Sequence, residues 1–345
     1  MINANEIAII AIGRNEGERL RRCLASCAGN GCQVIYVDSN STDGSAELAR
    51  SLSVEVVELD MSIPFSAARA RNAGFEKIDA SVKYVQFLDG DCELVNGWID
   101  RARTELESHS DVAVVCGRRR ERFPRSSIYN RLTDMEWDTP IGPAQSCGGD
   151  AMMRVDVFRA VGGFNESVVA GEEPELCQRV RKAGGQIIRI DAEMTLHDAA
   201  IFHFNQWWKR AVRGGYGALD VATRFGSDGL FAGQVRSARV WTVGWMLALV
   251  MATSTGAIIG PVAAFTLAAL VVLILPIQML RMAIKMRSRA SRFSDAAAWG
   301  VLTMLSKWAN LQGQLAYLRD RRNGKTGRLI EYKQDVIEPL PVARA

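Results

Sequence analysis

The sequence predicts a doubly wound α/β domain followed by an apolar helical hairpin. Three observations predict it. Short apolar runs alternate with segments of helical spacing up to about residue 200. Two of those runs stop at Asp38 and Asp89, and a third leads into Asn15. The stretch from Val240 to Leu280 contains no charged residue. Strands that alternate with helices imply parallel pairing. In such sheets, ligands gather outside the carboxyl ends of the strands.

The elements follow in order. Ile7 to Ile12 is a buried strand ending at Gly13, and Asn15-Glu16 opens a helix with Leu20, Cys23, Leu24 and Cys27 on one face. Val34 to Val37 is a second strand, closed by Asp38 and followed by a helix over Ala46 to Ser51. Val54 to Leu59, a helix over Ser66 to Lys77, and the strand Tyr84 to Leu88 complete a repeating strand–helix pattern. Beyond Asp91 the spacing gives a helix over Trp98 to Glu107 and a strand over Val112 to Cys116. The run "RRRERFPR" at 118–125 is either a solvated basic loop or a place for a phosphate-bearing acceptor. Later come a helix from about Pro174 to Ala183 and a strand over Ile187 to Ile190.

The 345 residues carry a net charge of only +4, but the charge is unevenly spread. The uncharged stretch is long enough for two bilayer crossings of about 20 residues each. Breakers at Ser254-Thr255-Gly256 and Gly260-Pro261 divide it. Arg281, Lys285, Arg287, Arg289 and Arg292 precede the next acid, Asp295, and by the positive-inside rule belong on the cytoplasmic side. Two crossings return the chain to its starting side, so the N-terminal domain is expected to be cytoplasmic, at a bacterial inner membrane. The N-terminus has no basic n-region and reads as a strand rather than a signal peptide.

Trp207 and Trp208 beside Lys209, Arg210 and Arg213 suit a helix lying in the bilayer interface, the alternative being an amphipathic helix packed on the soluble domain. The expected organisation is therefore a catalytic domain over 1–203, an interfacial region over 204–235, and a hairpin over 236–281 with helices at about 240–258 and 261–280. A basic tail over 282–345 carries an amphipathic helix at about 295–318. Seven cysteines without a CxxC pair fit a reducing compartment. Basic residues lie beside membrane signals and are not interleaved with base-stacking aromatics, so no nucleic-acid partner is expected.

Asp89-Gly90-Asp91 ends an apolar strand, and two carboxylates around a glycine can hold a divalent cation together with substrate phosphates. Five stretches, "AIIAIGRNEGERLRRCL", "VIYVDSNSTDGS", "AARARNAG", "VQFLDGDCEL" and "GGFNESVVAGEEPELCQRVRKAGG", then occur in an order and spacing that resembles the family 2 glycosyltransferases of GT-A fold. The resemblance covers roughly residues 5 to 200. The hairpin and the "RLIEYK" at 328–333 look like a membrane-associated bacterial branch of that family.

The resemblance implies a Rossmann-like mixed sheet and an inverting enzyme of polysaccharide or glycolipid synthesis. It would move a sugar from a nucleotide diphosphate, a UDP-sugar being favoured, to a lipid-linked or saccharide hydroxyl with Mg²⁺ or Mn²⁺. Asp38 matches the base-contacting aspartate, with Ser39 where the family often has a second aspartate. Asn15, Glu16, Arg71, Asn72, Asp89, Gly149 and Asp150 match the nucleotide-sugar site. Asp89, Asp91 and His197 match the metal site. Glu173 falls at the catalytic base position, beside Glu172, although two glutamates at a helix start also serve the helix dipole. Two rival functions remain: transfer to a polyprenyl phosphate, which needs no base, and a non-catalytic nucleotide-binding scaffold.

Overall fold

The computed structural model describes residues 6–226, 229–324 and 331. Of the 328–333 stretch only Glu331 falls among them. The strands are β1 (Ile7–Gly13), β2 (Gln33–Asp38), β3 (Glu55–Glu58), β4 (Tyr84–Asp89), β5 (Cys92–Leu94), β6 (Val112–Glu121), β7 (Gly142–Pro143), β8 (Ala151–Arg154) and β9 (Gln186–His197). They form one sheet in the order β3-β2-β1-β4-β8-β6-β9-β5, with β7 on β9. β3, β2, β1 and β4 are parallel, as the alternation predicts. β8 then pairs antiparallel with both β4 and β6, so the second half is mixed. β1 is flanked on both sides and covered on both faces, which is why its apolar run is unbroken.

Helices α1 (Glu18–Cys27), α2 (Ser45–Ser51), α3 (Ala67–Phe75) and α4 (Trp98–Ser108) cover the sheet, joined by α5 (Ile128–Trp137), α6 (Val155–Ala160) and α7 (Glu172–Lys182). The apolar positions of α1 are the buried ones expected, Leu20, Cys23, Leu24 and Cys27. Three boundaries differ from the sequence reading. α7 starts at Glu172 rather than near Pro174, because proline is well tolerated in a first turn. β9 runs on to His197, since its far half pairs with β5 and with the end of β6. The basic run at 118–125 is strand as far as Glu121 and not a loop. At Gly117 the two strands pass so closely that a Cβ would lie 2.6 Å from the Ala192 carbonyl oxygen.

Beyond the sheet lie α8 (Phe204–Phe225), α9 (Ala232–Arg239), α10 (Trp245–Ile259), α11 (Pro261–Met286) and α12 (Phe293–Arg322). A π-helical turn at Val240–Gly244 joins α9 to α10. Ala232–Ile259 and Pro261–Met286 are long and apolar enough to cross a membrane, and at most 11% of either apolar window is buried by protein. The apolar face of α8 is different. Trp207, Val212, Tyr216 and Leu219 are buried within the protein, where the sequence reading places a bilayer.

Glycines set this packing. A Cβ on Gly215 of α8 would fall on the Asn310 backbone of α12, and one on Gly313 would fall on the Val212 carbonyl. Gly217 sits in the same way against Ala170, just before α7, and Gly300 against Met279 of α11. Replacing Gly313 with leucine should therefore separate α8 from α12 and cost at least about 1–3 kcal/mol of stability. Gly214→Ala, at a position with nothing within 4 Å, should be neutral or gain up to about 1 kcal/mol. Thermal unfolding of the two variants checks the contrast, and equal melting temperatures would refute the packing account.

Candidate active site

The parallel strands β2, β1 and β4 present their carboxyl ends side by side. Asn15, just past β1, has a φ of 55°, a left-handed conformation that asparagine adopts more readily than most residues. Its side-chain oxygen accepts from Thr42 N at 2.7 Å, and its own N–H donates to Ser41 Oγ at 2.9 Å. The loops after β1 and β2 are thus fastened together. Asp38 is buried and accepts from Tyr36 Oη at 3.0 Å and Ser41 N at 2.8 Å. It shapes the loop, while Ser39 beside it lines the cleft.

The glycine of Asp89-Gly90-Asp91 has a packing reason. Gly90 N donates to the Ile12 carbonyl at 2.7 Å, and a Cβ there would meet that oxygen at 3.0 Å. The carboxylates on either side diverge. Asp89 Oδ1 pairs with Arg71 Nη2 at 2.7 Å. Asp91 Oδ1 lies 3.4 Å from His197 Nε2.

Arg71 is the centre of the site. Its side chain is 2% exposed, yet it bridges Asp89 and, through Nη1 at 2.8 Å, Glu172 at the start of α7. A second arginine, the half-buried Arg119 of β6, pairs with Asp150 at 2.7 Å and approaches Asp89 at 3.9 Å. Asp150 in turn accepts from Asp89 N and Thr195 Oγ1. Burial pushes the Asp150 carboxyl up, and Arg119 opposes that shift. Burial also pushes the Glu172 carboxyl up, but Arg71 and Arg213 outweigh it and leave Glu172 below its usual value.

Asp91 and His197 offer one carboxylate and one imidazole within 4.8 Å of each other, and both are buried. His197 Nδ1 faces Glu121 at 3.9 Å, so the ring lies between two carboxylates, and it packs at near right angles to Trp137 with ring centres 4.6 Å apart. An outer carboxylate behind a histidine is the usual support of a metal ligand. Cys92 adjoins this pair, but burial pushes its thiol well up and suits it to a structural role. The donor set fits a divalent cation. Asp89 pairs with the arginines, and with Cys92 and Asp150 it forms an adjoining group of possible ligand atoms.

Glu172 and Glu173 have unlike surroundings. Among the described residues, Glu173 accepts from neutral donors, Cys147 N at 2.5 Å and Cys177 Sγ at 3.0 Å. Both glutamates line a single cleft of about 2110 Å³, together with Asn15, Glu16, Arg71, Asp89, Asp91, Gly149 and His197. Asp38, Asn72 and Asp150 do not line it. Asn72 instead ties α3 to Phe164 and Glu166. Arg119 does line it, and Trp137 with it, and neither was legible as a site residue. The run Arg118-Arg119-Arg120-Glu121 hides the strand period that would have turned one of those arginines inward.

Residues 8–161 match the model of glycosyl transferase family 2. A glycosyltransferase of Haloferax volcanii, AglE, is 25% identical over 62% of this chain and 73% of its own length. The succinoglycan biosynthesis protein ExoA of Rhizobium meliloti is 28% identical over 50% of this chain. A pre-mycofactocin glycosyltransferase of Mycobacterium tuberculosis is 26% identical over 64% of it. The chain spans about half the length of these last two, 55% and 48%. Among solved structures, a mannosyltransferase of Pyrobaculum calidifontis, in complex with GDP-mannose and Mn²⁺, superposes with a TM-score of 0.62 at 16% identity, over 92% of this chain and 88% of its own. The mixed sheet is a GT-A fold, and the domain over residues 8–161 matches glycosyl transferase family 2.

Proposed function

We propose that the protein is an inverting glycosyltransferase that moves a sugar from a nucleotide-diphosphate donor to an acceptor hydroxyl at a membrane surface. One observation carries this reading: Glu173, bonded to neutral groups, faces the same cleft as the Asp91–His197 pair. Arg71 occupies Glu172, which leaves Glu173 as the base. It takes the proton of the acceptor hydroxyl as that oxygen attacks the anomeric carbon, and the bond to the diphosphate breaks on the opposite side.

Asp91 and His197 would hold a divalent cation, which when bound neutralises charge on the diphosphate leaving group. A mixed carboxylate–imidazole set favours Mn²⁺ over Mg²⁺. The fold relative in complex with GDP-mannose and Mn²⁺ supports a nucleotide sugar and a divalent cation here as well. Arg71 holds Asp89 and Glu172 in place, and Asn15, Glu16, Ser39 and Thr42 line the nucleotide side. α10 and α11 would span the cytoplasmic membrane, with the basic residues after Leu280 and the catalytic domain on the cytoplasmic side. The exposed apolar residues Val301, Leu305, Trp308 and Leu315 on α12 suit contact with that surface.

Glu173→Gln should lower kcat by about 10²–10⁴ with donor KM little changed. Wild-type turnover would instead point to a phosphate oxygen as nucleophile. Asp91→Asn should weaken Mn²⁺ binding by about 10-fold or more, measured by titration with nucleotide diphosphate present. Unaltered Mn²⁺ affinity would remove Asp91 from the ligand set.

The lowered Glu172 carboxyl also predicts a pH dependence. Its pairing stabilises the fold fully above the unfolded value of about 4.5 and is lost as pH falls through the lower folded value. Glu172→Gln should cost about 3–5 kcal/mol near neutrality. Its melting curve should converge on that of the wild type in acid. A gap that stays constant with pH would exclude the ion pair as its cause.

A further inference from the structure

Glu173 sits between two thiols. Cys147 lies on the loop between β7 and β8, and Cys177 lies one turn beyond Glu173 on the same face of α7. Cys177 Sγ is 3.0 Å from Glu173 Oε1, and the two sulfurs are 3.6 Å apart. One ligand atom from each of the three residues lies within 4.8 Å of the other two, all three residues are buried, and both cysteines are free. The cysteines are 30 residues apart in the chain, so no short spacing announces the pair.

These distances match the edge of a tetrahedral metal site. With bonds of about 2.3 Å, two thiolates on one Zn²⁺ stand about 3.8 Å apart. The sulfurs at 3.6 Å already hold nearly that separation. Cys147 and Glu173 line the cleft, with Cys177 behind them. A cation can therefore enter from the cleft, and a water from the cleft can complete its coordination.

The donors decide which ion fits. Two sulfurs and one carboxylate select Zn²⁺ and other thiophilic cations over Mn²⁺ or Mg²⁺. Burial pushes the Cys177 thiol well up, as it does that of Cys92. Cys177 differs in having a second thiol beside it, and a cation shared by two sulfurs takes the place of their protons.

We propose that Cys147, Glu173 and Cys177 form a second metal site, selective for Zn²⁺, whose occupation withdraws Glu173 from the reaction. Two zinc–sulfur bonds and one zinc–oxygen bond form, and the two thiol protons pass to solvent. The binding claim stands on the three residues alone. The loss of turnover rests on the reading of Glu173 as base.

Binding can be tested without knowing the substrates. The full chain in detergent micelles, reduced with a phosphine, is titrated with Cd²⁺ as a spectroscopic substitute for Zn²⁺, with Mn²⁺ in excess throughout. A cadmium–thiolate charge-transfer band should rise in the ultraviolet and saturate at one ion per chain, and Zn²⁺ should abolish it. Cys147→Ser and Cys177→Ser should each weaken Cd²⁺ binding at least about 100-fold, more than the loss of an outer-shell partner causes. Cys92→Ser, which removes the thiol beside Asp91 and His197, should keep the band. Thermal melting of the metal-free variants shows that they are folded. Release of about two protons per Zn²⁺ by the unmodified chain is a measure that needs no variant.

A missing band would overturn the proposal, as would a band that excess Mn²⁺ suppresses. So would a band lost in Cys92→Ser but kept in the other two variants, or Zn²⁺ binding without proton release. Hydrolysis of a panel of nucleotide-diphosphate sugars with Mn²⁺ is followed in parallel as Zn²⁺ is raised, and inhibition should track occupancy of the site. Zn²⁺ that fills the site without slowing turnover would leave the metal site standing and remove Glu173 as base. A chain that turns over without ever showing the band would remove the site and leave the transferase reading intact.

Discussion

A buried arginine holding two carboxylates from distant parts of the chain is the constraint around which this site is built. Arg71 comes from α3, Asp89 from the end of β4 and Glu172 from the start of α7. A guanidinium at 2% exposure is tolerable only where its fork is matched by acids. Arg119 repeats the arrangement with Asp150. Arg71 and Arg119 thus share Asp89, while Asp91 and His197 converge beside them.

The same network divides labour between adjacent residues. Asp89 and Asp91 are separated by one glycine, yet one belongs to the arginines and the other to a histidine. Glu172 and Glu173 are neighbours on one helical turn, yet one is ion-paired and the other bonded to neutral groups. In both cases the backbone sends consecutive side chains in different directions, and the direction decides the chemistry.

The frame of this site was legible in the sequence because it rests on local rules. Apolar runs ending at Gly13, Asp38 and Asp89 are strands, and parallel pairing brings their ends together. The uncharged hairpin was equally plain. The supporting residues were not, because they depend on long-range pairing. Nothing local distinguishes Arg119 from Arg118 or Arg120. The burial of α8 against α12 joins segments about a hundred residues apart in the chain, and an amphipathic face alone does not say whether lipid or protein covers it. Asp150 matches a family position, but its burial behind Asp89 became visible only once β8 was placed between β4 and β6.

The glycine contacts at 217, 215, 313 and 300 form a stack running from the segment before α7, through α8 and α12, to α11. Backbone lies on backbone at each step, and such a stack has little room to flex. It therefore acts as a spacer of set length between the hairpin and the glutamate pair.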